Sequence, residues 1–231
     1  MAKAHLKRLA APKTWPIPRK SITFITRPMP GPHAFSLGLP LSIIIRKLGL
    51  AKTAKEVRFL LNSKVVNVDG RRIRSKKYEA GLMDVLSIPE IKKHYRVLIN
   101  RKNKIYLNEI DEKESKFKLR RVTGKTVLKG NRLQLNLHDS NNIITKEKVN
   151  VGDSVIFEFG KGITGKIELK EGNTAYLTGG KHVGLFGSIV KIIETKRRRD
   201  EIIIKVGDRE IKTAKRHAFV VGEKEPKITL K

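Results

Sequence analysis

The sequence predicts an α+β chain assembled from several small modules, and three observations carry that reading. Apolar spacing is helical over residues 41–61 and alternates as in strands from residue 95 onward. Prolines crowd one end: seven of the nine lie between Pro12 and Pro40, where they remove backbone donors and favour extended chain. Charge is the third, since 51 Lys and Arg against 22 Asp and Glu give +29 over 231 residues, a self-repulsion that disfavours one large body. The expected order is an extended basic arm over 1–38, two helices plus a small sheet over 39–100, a central β-barrel-like domain over 101–172, and a smaller barrel with the C-terminal tail over 173–231.

The arm follows from what is missing. No Asp or Glu precedes Glu56, and residues 1–38 carry seven Lys and Arg, so the stretch cannot neutralise itself. Trp15, Phe24 and Phe35 nevertheless offer apolar surface suited to stacking on bases. The arm is therefore expected to be disordered alone and to order on a polyanion; the competing reading is an ordinary solvated tail.

Pro40 suits a helix start, Leu41, Ile44, Ile45 and Leu48 mark one helical face, and Gly49 suits the C-terminal cap. Thr53 and Glu56 have capping-box spacing, and Val57, Leu60 and Leu61 give the second helix its apolar face, with Lys55, Arg58 and Asn62 opposite. Val66 and Val68 then alternate into Asp69-Gly70, a pair suited to a type I′ hairpin. From residue 95 the short runs 97–99, 133–137, 155–159 and 166–170 read as strands of a small barrel; 175–178, 188–193, 201–206 and 209–213 read as a second, with the last two joined at Gly207-Asp208.

Such an excess of positive charge calls for a polyanionic partner. A membrane reading needs an apolar run of about 18 residues or a basic amphipathic helix, and runs such as 43–45 are far shorter. Nucleic acid is the expected partner, with no membrane. The N-terminus lacks the apolar core of a secretory signal, so a cytoplasmic location is expected. There is no cysteine, and the six His show no pair at ligand spacing, so neither a metal nor a cofactor is expected.

Three motifs bear on chemistry. Gly160, Gly162 and Gly165 spell a dinucleotide fingerprint, and residues 160–166 begin a phosphate loop. Ile167 stands where that loop needs Ser or Thr, and residues 166–170 alternate as a strand where both motifs need a helix, so a glycine-rich turn is the better reading. His138 and Asp139 are adjacent, so on a strand they point to opposite faces; a structural hydrogen bond is expected. Gly179, Gly180, Lys181, His182, Gly184 and Gly187 form a denser signal: either the glycines bring backbone to a phosphate with Lys181 and His182 as donors, or they build a tight hairpin.

Two modules are recognisable here. Residues 48–53, Glu56-Val57, Leu60-Leu61, 65–70 and 81–85 resemble the alpha-L RNA-binding domain, in which a helix pair and hairpin lie against structured RNA. Lys64 and Met83 stand where that family often has glycine. The run 179–187 followed by a strand resembles the KOW module, an SH3-like barrel. Their order, the preceding residues 5–12 and Trp15-Pro16, and the signatures 137–139, Gly172-Asn173 and 219–222 together resemble small-subunit ribosomal protein four of the eukaryotic and archaeal type, and the short end after Gly222 looks archaeal. The resemblance implies a ribosomal RNA partner beside neighbouring ribosomal proteins, a structural role, and no catalysis, small-molecule substrate or homo-oligomer. The expected RNA contacts are Lys7, Arg8, Lys13, Trp15, Arg19, Lys20 and Arg27 in the arm, with Arg46, Lys47, Lys55, Arg58, Lys64, Arg71, Arg72, Arg74, Lys76 and Lys77 in the next module. An RNA-modifying enzyme with an appended alpha-L domain is disfavoured because residues 100–231 show no catalytic loop or helix–strand alternation. A KOW-bearing transcription elongation factor fits the cationic arm poorly.

Overall fold

The computed structural model describes residues 5–130, 132–145, 147–194 and 200–230; the first four residues of the expected arm lie outside these. The described chain is mostly β with two helices and several antiparallel sheets. It divides into two compact units, Met1–Leu98 with Lys104–Lys116, and Ile99–Asn103 with Phe117–Lys231.

In the first unit, α1 (Leu41–Lys47) buries Leu41, Ile43, Ile44 and Ile45. Its C-terminus turns at Gly49, φ +75°, with Gly49 N–H donating to Arg46 O at 3.2 Å and Leu50 N–H to Ile45 O at 3.2 Å, the paired bonds of a Schellman end. In α2 (Ala54–Ser63) the capping box forms as expected from Thr53 and Glu56, and Val57 and Leu61 face the core. The Asp69-Gly70 turn has φ +50° and +76°, both central residues left-handed as a type I′ turn demands. It joins Asn67–Val68 to Arg71–Arg72, at one edge of a five-stranded sheet continued by Val85–Ile88, Lys93–Ile99 and Ile105–Ile110. Lys64 is extended at φ −105°, while Met83 does adopt the left-handed backbone, φ +69°. Holding a non-glycine in that conformation costs about 1–2 kcal/mol, and complete burial of the Met83 side chain, about 1.5–3 kcal/mol, outweighs it.

Residues 5–38, expected as an extended arm, are packed within the first unit. Leu6–Lys7 pairs with Phe24–Ile25, Trp15 is 0% exposed and packs its ring against Phe35, and Ile105 N–H donates to Thr14 O at 2.8 Å. Lys104 Nζ donates to the carbonyls of Lys13 and Trp15. Farther along, His33 Nε2 lies 2.9 Å from both carboxylate oxygens of Asp84, which also accepts from Gly81 N–H at 2.8 Å. Glu79 lies buried beneath Gly31 and Gly38; a Cβ on Gly38 would fall 2.0 Å from its Oε1. Charge and proline content do not report that these few apolar and polar residues find partners elsewhere in the first unit, as far along the chain as Ile105.

In the second unit, Phe117–Leu128 is shared by two ladders. Phe117 to Arg121 pair with Ser154–Glu158, and Val122 to Leu128 pair with Arg132–Leu137, with a bulge between Val122 and Gly124 that lets one strand serve both. Val122, Leu135, Leu137, Val149 and Val155 close a core over it. The glycine-rich motif is a turn at Gly160 and Lys161 leading into a strand: Gly162–Ile167 pairs antiparallel with Ser154–Glu158, and the next element is the strand Thr174–Leu177. The last sheet runs in the order Arg209–Ala214, Glu201–Val206, Phe186–Ile193, Thr174–Leu177, Ala218–Gly222. Val206 pairs with Arg209 across Gly207-Asp208 as expected, Gly207 having φ +60°.

Candidate nucleic-acid interface

The Schellman end of α1 leaves both Arg46 and Lys47 exposed at its last turn. Ser42 N–H donates to Lys76 O at 3.0 Å and Met29 N–H to Lys77 O at 2.9 Å, which lays residues 76–77 along the same side. With the arm strand Phe24–Ile25 these segments enclose a groove of about 950 Å³ within the first unit. Arg27, Arg46, Lys47, Lys52, Lys76 and Lys77 line it, and Arg8 reaches it too; among the described residues its lining contains no Asp or Glu. Its floor is apolar, with Pro16, Ile17, Ile22, Phe24 and Ile43. Crowding by neighbouring groups desolvates the Lys47 ammonium and lowers it below the usual lysine range, an effect that an arriving phosphate would oppose.

The groove thus gathers Arg8, Arg27, Arg46, Lys47, Lys76 and Lys77 from the expected contacts, and adds Lys52, which lies in the 48–53 run but is not among them. Lys55 and Arg58 stand exposed on α2, and Arg71, Arg72 and Arg74 on and after the hairpin. Arg72 Nη2 donates to Asn62 O at 3.2 Å. Of this set, only Lys64 is held by a carboxylate among the described residues, Glu90 at 3.1 Å. Lys7, Lys20 and Lys13 lie on the arm with Arg19, which donates to Leu9 O at 2.7 Å. Two residues differ from expectation. Trp15 is a core residue whose faces are closed, and Arg8 is 8% exposed with Nη1 donating to Pro18 O at 2.7 Å, a tie within the arm.

In the second unit, Lys181 is exposed and His182 half-buried. Gly180 and Gly184 have φ +83° and +78°. A Cβ on Gly184 would fall 2.4 Å from the Asn100 carbonyl carbon, and one on Gly187 2.0 Å from Lys205 O; one on Gly179 would meet the His217 ring at 2.5 Å. What approaches these glycines closely is this chain's own backbone and His217, the structural use of the motif. His138 and Asp139 are structural as well. His138 Nδ1 accepts from Arg121 N–H at 3.2 Å with its ring edge-on to Phe219, while Asp139 is buried between Lys118 at 3.2 Å and Arg120 at 3.0 Å. Burial raises the Asp139 carboxyl, but Lys118 and Arg120 together leave it below its usual value. The two neighbours stand in the turn that follows Arg132–Leu137 and not on a strand as expected; that Asp139 meets two cations depends on the pairing of distant segments.

Two family models match the sequence: "Ribosomal family S4e" over residues 91–162 and the "RS4NT (NUC023) domain" over residues 2–36. The small ribosomal subunit protein eS4 of Methanococcus vannielii is 40% identical over 238 residues, covering 98% of this chain and 97% of the relative. This chain belongs to the eS4 family of small-subunit ribosomal proteins. The eS4 protein of Methanosphaera stadtmanae is 38% identical over 232 residues, covering 99% of this chain and 96% of the relative. The crystal structure of 30S ribosomal protein S4e from Thermoplasma acidophilum superposes with a TM-score of 0.69 at 33% identity, over 81% of this chain and 95% of that one. As a member of the eS4 family the chain is a structural component of the small ribosomal subunit and not an enzyme.

Proposed function

We propose that this protein binds small-subunit ribosomal RNA through the first unit and stabilises folded RNA helices during assembly and translation. The observation that carries this is the run of cations on α1, α2, the hairpin and the groove, of which Lys64 alone has a carboxylate partner among the described residues. Cations so close together repel one another, and a polyanion that joins them relieves that repulsion more fully than dilute salt does. On this reading residues 39–100 act as an alpha-L module whose sheet Ile105–Ile110 completes, the rest of 101–172 as the central β domain and 173–231 as a KOW-type barrel, with 1–38 as a basic segment of the first unit. Neighbouring ribosomal proteins flank it, and neither a membrane, a small-molecule substrate nor a second copy is needed.

Binding to transcribed small-subunit RNA at increasing salt tests the proposal. Neutralising about six phosphates gives log affinity falling against log salt with a slope of about −4 or steeper. A flat slope removes the electrostatic account.

A further inference from the structure

We infer that the groove between the arm and α1 holds an unpaired RNA segment, with a base stacked on Phe24 and its phosphates on the surrounding cations. The inference rests on the RNA-binding reading and narrows it to one class of ligand at one place. Phe24 is 54% exposed and Ile22 58% exposed, both on the groove floor. Phe24 touches the His5 ring along one side, centroids 5.8 Å apart and tilted by 54°, and more than half of its surface stays open. Two large apolar side chains exposed in a concave site, ringed by cations and no acid, call for an occupant that is both flat-faced and anionic. Duplex RNA meets only half of this, because along its length the faces of its bases are stacked inward and it presents phosphate, ribose and base edges. An unpaired nucleotide meets both, giving a π-face to the ring and a phosphate to Arg46, Lys47 or Lys52. The size agrees: 950 Å³ is at the upper end of the roughly 300–1,000 Å³ of pockets that engulf a small ligand, so a short run of nucleotides fits better than one base. An acidic peptide satisfies the cations and leaves the floor uncovered.

The full-length chain is titrated with three labelled probes at fixed salt: a ten-nucleotide oligoadenylate carrying one 2-aminopurine, a ten-base-pair blunt RNA duplex, and a ten-residue oligoglutamate. The oligoadenylate is expected to bind most tightly with its 2-aminopurine quenched. Phe24→Leu should weaken it about tenfold, within the range for loss of one base–aromatic stack, while Phe24→Tyr keeps the affinity and duplex binding is unchanged in both. Equal affinity for duplex, no effect of Phe24→Leu, or tighter binding of oligoglutamate overturns the inference. Photocrosslinking of a 4-thiouridine oligomer to the unsubstituted protein guards against a variant that misfolds: adducts on Phe24, His5 or Ile22 support the groove, and adducts confined elsewhere overturn it. Salt-dependent binding of small-subunit RNA that persists in any overturning outcome leaves the broader proposal standing; its loss as well removes both.

Discussion

At the scale of single residues, the glycines separate by what surrounds them. Gly184 needs its φ of +78° and also lies against the backbone of Asn100 and Arg101, whereas at Gly130, φ +75°, an added Cβ would meet nothing within 4 Å. Gly130→Ala should therefore cost only the left-handed backbone, about 1–2 kcal/mol. Gly184→Val adds overpacking of about 1–3 kcal/mol, and thermal denaturation should show it melting well below Gly130→Ala; melting together would mean that the loop yields. Glu79 gives a test in pH. Burial raises its carboxyl, His33 opposes the shift and Asp84 adds to it. A carboxyl whose folded value is raised contributes stability that is fully present below its unfolded value and is lost as pH rises through the folded one. Glu79→Gln should accordingly gain on the unsubstituted protein as pH rises above the ordinary glutamate value of about 4.3 in chemical denaturation, and a constant gap would show that Glu79 does not titrate on unfolding. Asp139, held below its usual value, runs the other way and loses its contribution as pH falls.

Elements are held by a few polar contacts that replace lost solvent. Thr53 Oγ1 accepts from Glu56 N–H at 3.2 Å at the start of α2, and Thr53→Ala should cost about 1 kcal/mol in denaturant unfolding, with the first unit affected and the second not. The strand Lys93–Ile99 carries Arg96, 0% exposed, whose Nε donates to Glu114 Oε1 at 3.0 Å and whose Nη2 donates to Glu114 O at 3.1 Å. Burial lowers the Arg96 pKa, and Glu114 opposes that shift. Glu114→Ala removes the carboxylate on a buried guanidinium that keeps Asp69 and Asp84 as acidic neighbours, and should cost about 3 kcal/mol, far more than loss of an exposed pair such as Lys93–Glu109, at about 0–1 kcal/mol; equal losses would place Arg96 in contact with water. The cap was legible because its two residues lie three apart in sequence. The Arg96–Glu114 pair was not, because partners 18 positions apart meet only when the intervening chain folds back.

At the scale of the whole molecule, charge dominates. A formal +29 makes the free protein a poor steady state and RNA its natural screen. Reversing charge at Lys55 and Arg58 together should weaken ribosomal RNA binding across sequences and make the salt slope shallower by about one to two, since each phosphate contact contributes roughly 0.7–0.9. Filter binding over a salt series reads this directly; an unchanged slope would show that the α2 face does not touch phosphate.

The sequence by itself determined the elements whose signals are local: the caps of both helices, the type I′ hairpin, the alternation of the strands and the sign of the surface. It also carried the motifs by which the family is recognisable. Tertiary structure decided what depends on residues far apart. Trp15 and Arg8 resemble the other arm residues in sequence, yet both are buried, while Phe24 stays open on a groove floor. Lys52 joins the cations around that groove because separate segments of the chain meet there. Alternation and charge count report how each residue relates to its neighbours in the chain; burial reports which distant residues cover it, and that is fixed only when the strands and the arm find their partners.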